Sequence, residues 1–331
     1  MSFLRKAIRS LLLGDSDLPQ QCAVGLRDPQ SEVRVVLHGV GAPRDVTWRH
    51  MIACASPFTI GIGLNGEACC EAAGAGSPVT LRFFEREGNQ RLLAEIGIRL
   101  SSSVPAGAQE LGLFEIDTCR NYCLPQPRLW AHYLLLAYLR SHGPKKAGEI
   151  PMVASGVHAG IACFTCPRPV VLVSVPASDT TGNMFPMNLM GPVGDGYFAF
   201  SLNSTRKAST LVQRVGRVAL SDLPLDQSDR ARELRGNHRR ESIGWDEIPF
   251  STRLSAAFGI PVPDFALRVR EMEVEAIRRL GSHSVFIARV VSEERWSDGP
   301  QFFMIHGIYQ AWRLRKRPDL SALPTDLRPA C

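Results

Sequence analysis

Short segments with the alternation and composition of β-strands dominate both halves of the chain. They are rich in β-branched and aromatic residues and are bounded by Gly, Pro, Asn or Asp. The first half contains EVRVVLHGV, FTIGIGL, SPVTLRFFE and LGLFEID. The second half contains VHAGIACFT, RPVVLVSVP, GYFAFSLN, FALRVREMEVEAIRRLG, GSHSVFIARVVSEERW and QFFMIHGIYQAWRL. Many short strands with few helices predict a mainly β fold of the barrel type.

Helical spacing is confined to a few segments. RLWAHYLLLAYLRSHG has apolar residues at helical intervals and stops at a Gly-Pro pair. STRKASTLVQRVGRVALSD predicts a short helix whose apolar face is Leu211, Val212 and Val215, with Ser204 or Thr205 as its cap. We expect DQSDRARELRGNHRR to be a solvated helix and MSFLRKAIRSLLLGDSD to be a short amphipathic one.

An internal repeat relates the two halves. The segment from VRVVLHGV to GIGLNG resembles the segment from RPVVLVSVP to FSLNS, with Met51 opposite Met187 and a Leu-Asn pair ending each copy. The polar connector GPKKAGEIP lies between the copies. We therefore predict two domains built from one β unit, at residues 1–147 and 148–331, although chance similarity between two strand–loop–strand segments is the alternative.

Composition and charge narrow the class of protein. The chain has 331 residues, of which 45% are apolar and 21% charged, and this is typical of a soluble globular protein. Its net charge is +6, and its basic residues are dispersed except at RARELRGNHRR and RLRKRPD; without a denser basic stripe or a recognisable module, we expect no nucleic-acid partner. No apolar run approaches the roughly 20 residues that span a bilayer, so we expect no membrane partner and a cytoplasmic location.

The cysteines do not indicate a secreted disulfide framework. Nine of them occur at irregular spacings. Cys163 and Cys166 form a CxxC, but a second CxxC or a His pair at zinc spacing is missing from the sequence. Two reduced thiols packed near a strand are favoured over a zinc or redox site.

The two copies differ after the Leu-Asn pair, where one of them carries basic and hydroxyl groups. The second copy continues STRKAST, which can hold a phosphate through charge-assisted hydrogen bonds at a helix start. The first continues GEACCEAAGAGSP, where Glu67 and Glu71 would repel an anion. A capped helix with a solvated basic face is the alternative for STRKAST.

The segment before this strand has the chemistry of a site for a flat ring. GNMFPMNLMG combines apolar side chains with Asn183 and Asn188, which offer both donors and acceptors to a heteroaromatic edge. His283, after a Gly at a strand start, is a further candidate, and a turn residue without a role is its alternative. For His306 and Tyr309 we favour packing.

Residues from about 150 to 315 resemble the flavin reductase-like family of FMN-binding split β-barrels. The matching elements are RPVVLVSVPASDTTGNMFPMNLM, FAFSLNSTRKAST, VALS and GSHSVFIARV, in this order and spacing. The resemblance implies two split β-barrel units in tandem, with a degenerate first copy. It implies that FMN is the cofactor and that a ribityl-phosphate group is held by Ser201, Asn203, Arg206, Lys207, Ser209 and Thr210. It places the isoalloxazine ring beside Asn183, Met184, Phe185, Met187 and Asn188, with His283 nearby as the catalytic candidate.

The implied activity is that of an FMN-dependent oxidoreductase. The resemblance implies hydride transfer from NAD(P)H through bound FMN to an acceptor that is not identified. Family members dimerise with FMN at the interface, so the first copy implies an internal pseudo-dimer, in which Trp48 and His50 close over the flavin; a homodimer is left open. Ser282 replaces the family's Asp or Asn before the His, which weakens the expectation for nicotinamide. A non-catalytic flavin-binding protein, or a module for another phosphorylated ring, is the alternative function.

Overall fold

The computed structural model describes residues 21–27, 31–74, 78–86, 88–142, 150–316 and 323–324. The predicted N-terminal amphipathic helix lies outside these residues. The described chain consists mainly of antiparallel strands, which confirms the predicted mainly β class. None of its helices is long and apolar enough to cross a membrane.

Within the described residues, the first half of the chain contains eight strands and two helices. The strands are β1 (Gln21–Leu26), β2 (Val33–His38), β3 (Arg44–Asp45), β4 (His50–Ala55), β5 (Phe58–Asn65), β6 (Val79–Glu85), β7 (Leu92–Ala106) and β8 (Gln109–Asn121). The helices are α1 (Gly66–Ala73), after β5, and α2 (Gln126–His142), after β8. Seven strands form one sheet in the order β3-β2-β6-β7-β8-β5-β4.

The second half begins with a helix and contains the remaining strands. The strands are β9 (Arg168–Pro169), β10 (Val171–Pro176), β11 (Thr181–Met187), β12 (Met190–Gly194), β13 (Tyr197–Asn203), β14 (Arg217–Asp222), β15 (Ile243–Gly244), β16 (Thr252–Leu254), β17 (Pro261–Pro263), β18 (Arg268–Leu280), β19 (His283–Arg295), β20 (Gln301–His306) and β21 (Leu323–Pro324). The helices are α3 (Ala154–Cys163), α4 (Lys207–Val215), α5 (Ser228–Glu233) and α6 (Gly307–Lys316). Eight strands form a sheet in the order β15-β11-β10-β14-β18-β19-β13-β12.

The two sheets have the same topology, as the internal repeat predicted. Apart from β15, each strand of the second sheet occupies the place of one strand in the first, and α4 follows β13 as α1 follows β5. The Leu-Asn pairs end equivalent strands at Asn65 and Asn203. The match of Met51 with Met187 is wrong, because Met51 lies on β4, whose equivalent is β12, whereas Met187 ends β11.

A long insertion distinguishes the second sheet from the first. The chain passes directly from β6 to β7, but between β14 and β18 it adds α5, a 3-10 turn at Leu234–Arg239 and three short strands. The predicted solvated helix in DQSDRARELRGNHRR is thus a single short helix followed by this turn. The turn packs against β11 and α4.

Strands β4, β12, β13 and β19 join the two halves. A shared apolar cluster contains Met51 and Leu113 from the first half and Val193, Ala199 and Ile287 from the second. A Cβ added at Gly63 would lie 2.2 Å from the Val193 carbonyl oxygen, so the backbones approach closely here. One interface between the halves is therefore built from these strands, with β4 against its equivalent β12.

Two segments predicted as strands contain helices instead. VHAGIACFT lies mostly in α3, which buries Ala159, Ala162 and Cys163 at helical spacing against the first half. QFFMIHGIYQAWRL splits into β20 and α6, and α6 buries Tyr309 in the same cluster. A four-stranded sheet, β21-β1-β20-β9, pairs β1 with strands of the second half. The core of the first half is therefore completed by residues from beyond position 147.

Candidate functional site

The predicted phosphate-binding residues lie at one end of the second sheet, where β13 meets β19. Asn203, the last residue of β13, pairs with His283, the first residue of β19. The Asn203 Oδ1 atom accepts hydrogen bonds from the Thr205 backbone N–H (2.9 Å) and from the Thr205 hydroxyl (2.8 Å). These bonds hold the loop that leads into α4.

The start of α4 presents the basic residues of STRKAST. Its N-cap is Arg206, so the predicted cap at Ser204 or Thr205 is wrong. The Ser204 hydroxyl instead donates to the Ser282 carbonyl oxygen (3.2 Å). Lys207 and Thr210 are exposed and Arg206 is half-buried. Positive side chains next to a helix N-terminus form an environment that favours an anion.

Two of the predicted hydroxyl ligands have structural partners. The Ser201 hydroxyl donates to the Ala53 carbonyl oxygen (2.6 Å), across the interface between the halves. The Ser209 hydroxyl is buried and accepts a hydrogen bond from the Gln213 side-chain amide (3.3 Å). In this arrangement neither hydroxyl is open to a ligand.

His283 is part of a contact between the halves. The preceding turn docks on the first half, where the Ser282 N–H donates to the Ser56 carbonyl oxygen (2.9 Å). Gly281 has a positive φ of 48°, and a Cβ there would lie 2.1 Å from the same oxygen, so the turn requires glycine. Burial lowers the pKa of His283 to about 4. The imidazole is therefore neutral at pH 7, and its Nδ1 atom lies 2.9 Å from the Ser282 hydroxyl oxygen.

The segment predicted to border a ring is covered by the insertion. Asn183, Met184 and Phe185 are completely buried. In the Leu234–Arg239 turn, the Asn237 side-chain amide donates to the Met184 carbonyl oxygen (2.9 Å). The His238 Nε2 atom lies 2.8 Å from the Pro186 carbonyl oxygen and donates to it, because a carbonyl can only accept.

A side chain of β11 also donates hydrogen bonds to the turn and to the residue after it. The Asn183 side-chain amide donates to the carbonyl oxygens of Asn237 (3.1 Å) and Arg240 (2.9 Å). The His238 ring lies 4.8 Å from the Phe185 ring, and burial lowers the pKa of His238 to about 4. The edge of β11 is thus closed by hydrogen bonds and a ring contact.

The remaining ring candidates lie towards the other end of β11. Met187 is buried in the barrel core, and the half-buried Asn188 contacts the Met304 sulfur (3.7 Å). Trp48 and His50, expected to close over the ring, line a separate cavity beside β12. The structure therefore does not gather these residues around His283.

The residues fit a bound flavin at its phosphate end only. Arg206, Lys207 and Thr210 have the chemistry to hold a phosphate, and they lie at the surface or close to it. The ring-binding segment offers no open face while the Leu234–Arg239 turn lies on β11. In the described conformation an isoalloxazine ring does not fit along Asn183–Phe185.

Sequence reasoning missed residues in both copies. The sequence predicts Asn237 and His238 as part of a solvated helix. The one sequence feature that could have indicated their contacts with β11 is a pair of hydrogen-bonding side chains inside a basic run. In the first copy, Arg44 donates to the Asn65 side-chain oxygen (3.2 Å) and pairs with Glu71 (3.5 Å). Glu71 is thus partly neutralised by a residue far from it in sequence.

Comparison with known proteins gives a family match in the second half of the chain. A model of the flavin reductase like domain matches residues 163–312, and none of the curated proteins searched matches the chain. Among solved structures, an FMN-binding protein from Thermus thermophilus is 24% identical, with a TM-score of 0.35 over 40% of this chain and 71% of its own. An NADH:FAD oxidoreductase from Streptomyces globisporus is 16% identical, with a TM-score of 0.42 over 49% and 95%. The styrene monooxygenase flavin reductase from Pseudomonas putida is 20% identical, with a TM-score of 0.38 over 45% and 93%. By the family model, residues 163–312 of this chain match the flavin reductase like domain.

Proposed function

We propose that the chain is a flavoprotein oxidoreductase that binds FMN and accepts hydride from NAD(P)H. The observation that carries the proposal is the match of residues 163–312 to the flavin reductase like domain. The basic start of α4, at the end of β13, supports it because it offers an anion one compact site. We propose no identity for the electron acceptor.

In this proposal the basic residues of α4 hold the cofactor. Arg206 and Lys207 supply the charge, and Thr210 supplies a hydroxyl on the same helix. FMN is preferred to FAD because STRKAST forms a single compact cluster that matches one phosphate. The sequence has no second Gly-rich loop that would hold an adenylate. Bound flavin supplies the hydride chemistry, while the protein supplies binding and orientation.

His283 is a positioning residue rather than a proton donor. Its imidazole is neutral at pH 7 because burial lowers its pKa to about 4. A neutral ring in contact with Ser282 and the first half can fix the end of β19 beside Asn203. It does not carry the extra proton that a general acid must give up.

Ring binding requires the insertion to change position. The Leu234–Arg239 turn covers β11 through Asn237 and His238, so we propose that it withdraws when the ring binds. The phosphate end remains accessible at α4 while the turn is in place.

Anaerobic titration of FMN-loaded full-length protein with NADH and then NADPH tests the proposed activity. The visible flavin absorbance is expected to bleach with at least one of them, faster than free FMN under the same conditions. Bleaching no faster than free FMN with both nucleotides contradicts the reductase proposal.

A second candidate function is flavin binding without turnover. Ser282 favours it, because the resemblance implies an Asp or Asn before the His and its replacement weakens the expectation for nicotinamide. FMN that binds stoichiometrically but is not reduced enzymatically would support this candidate.

A further inference from the structure

Helix α2 carries a row of large apolar side chains on its outer face. Trp130, Leu134 and Tyr138, spaced four residues apart, are 64%, 68% and 58% exposed. They lie on the side of the helix opposite to its buried residues, such as Leu129 and Leu136. Exposed apolar residues normally occur singly, so a continuous row of three indicates a surface that another segment or molecule covers.

The charge of α2 restricts what can cover this outer row. The helix contains no Asp or Glu, and Arg128 and Arg140 are exposed towards its two ends. A basic partner therefore finds no ion pair on α2. Such a partner binds through apolar contact, with its own charges turned away from the helix.

The sequence before β1 has an apolar face of matching length. In residues 1–20, which lie outside the described residues, Leu4, Ile8, Leu11 and Leu12 follow the i, i+4, i+7, i+8 spacing of one helix face. The basic residues between them fall off this face. Both rows run from residue i to residue i+8, which is about 12 Å of helix. An isolated helix this short is marginal in water, so its apolar face needs a surface to pack on.

The position of β1 brings this segment close to α2. Gln21, the first residue of β1, pairs with His306, whose ring centroid lies 6.2 Å from that of His132 on α2. Residues 14–20 can span roughly 23 Å in extended form, about twice the diameter of a helix. They are therefore long enough to lead from Gln21 around α2 to its outer face.

The size of the outer row favours a segment of the same chain over a second copy. Even a fully covered aromatic side chain buries no more than about 250 Å². Three side chains therefore supply less than the roughly 800 Å² that each partner contributes to a stable complex. A tethered segment does not need this area, because its link to the chain keeps it at a high local concentration.

We propose that residues 4–12 form an amphipathic helix that packs on the outer row of α2. Its apolar face covers Trp130, Leu134 and Tyr138, and its basic residues face solvent, away from Arg128 and Arg140. The row is thereby covered from within the same chain. This contact does not depend on the proposed flavin chemistry.

Photo-crosslinking from position 134 of the full-length protein tests this contact. Leu134→benzoylphenylalanine is expected to cross-link within one chain to residues 1–13, as identified by mass spectrometry of the peptides. Leu254→benzoylphenylalanine is the matched control, since Leu254 is 67% exposed in the insertion, and it is expected to give no such product. A product that joins two copies of the chain, or the lack of any product with residues 1–13, overturns the proposal.

Substitutions on the two faces of the segment distinguish packing from mere proximity. Ile8→Asp with Leu12→Asp places charges on the apolar face, so the yield of the cross-link is expected to fall about tenfold or more. Ser2→Asp with Ser10→Asp adds the same charges on the opposite face and is expected to keep the yield. An unchanged yield in the Ile8/Leu12 variant overturns the proposal. Loss of the cross-link when phosphatidylserine vesicles are added to the Leu134 protein also overturns it, in favour of a membrane surface as the partner of the segment.

Discussion

Buried histidines make the stability of this protein depend on pH. His238 and His283 both have a pKa lowered from 6.5 to about 4, chiefly by burial, and Arg206 and Arg235 act in the same direction on His238. The folded form keeps the rings neutral, whereas the unfolded chain binds protons as the pH falls below 6.5. The free energy of unfolding should therefore decrease from pH 6.5 down to about 4, by on the order of 2 kcal/mol for each histidine.

Denaturant unfolding at pH 7 and at about pH 4.5 checks this expectation. His238→Gln is expected to reduce the difference in unfolding free energy between the two pH values. His142→Gln, at an exposed position, is the control and should leave it unchanged. If His238→Gln shows the same difference in unfolding free energy between the two pH values as the unmodified protein, then burial of His238 does not cause the pH dependence.

Arg206 and Lys207, at the start of α4, are expected to contribute to FMN binding. Arg206→Ala with Lys207→Ala is expected to weaken FMN binding, because each charge-assisted contact contributes about 1.5–3 kcal/mol. The lower end of this range is expected, since Lys207 is exposed. Fluorescence titration with FMN measures the effect.

The control variant also removes two positive charges, but from a different helix. Arg128→Ala with Arg140→Ala changes two exposed residues of α2 and should leave FMN affinity unaltered. Full flavin affinity in the Arg206/Lys207 variant would show that the phosphate lies elsewhere.

Among the secondary-structure elements, sequence patterns predicted the strands better than they predicted the helix and the turn that pack on them. RPVVLVSVP and GYFAFSLN became β10 and β13 because their alternation and β-branched content fit a pleated surface. VHAGIACFT became α3 because small residues in a short apolar run suit either structure, and packing against Phe58 decides between them. The Leu234–Arg239 turn covers β11 through tertiary hydrogen bonds, which leave no periodic signal in sequence.

The covering turn gives a prediction of its own. Asn237→Ala with His238→Ala removes two hydrogen bonds to β11, each worth about 1 kcal/mol, so the turn should withdraw more readily. FMN affinity is then expected to increase several-fold in fluorescence titrations. Arg239→Ala, at an exposed position of the same turn, is the control. Unchanged or weaker FMN binding in the double variant would contradict the requirement for withdrawal.

At the scale of the whole molecule, the repeat predicted the topology of both sheets but not the way in which they are joined. The Leu-Asn pairs revealed equivalent strands, because equivalent β units keep their turn positions. Contacts such as Ser201 to Ala53, or Arg168 to His50, join residues more than a hundred positions apart. Such pairing depends on the register between the halves, and one sequence does not specify it.

The interface between the halves should be sensitive to a single methyl group. Gly63→Ala would place a Cβ 2.2 Å from the Val193 carbonyl oxygen, so we expect a loss of roughly 1–3 kcal/mol in unfolding free energy. Gly236→Ala, where an added Cβ meets nothing within 4 Å, is the control. Similar thermal unfolding of both variants would contradict the close packing of β5 on β12.

The stoichiometry of FMN binding to the full-length protein, after bound flavin has been removed, decides whether the second copy alone holds the cofactor. One FMN per chain is predicted, since the second copy has a basic site at α4 and the equivalent helix α1 carries Glu67 and Glu71. A value near two would show that the first copy binds flavin as well. No binding of FMN would contradict the claim that this flavin reductase-like domain holds the cofactor.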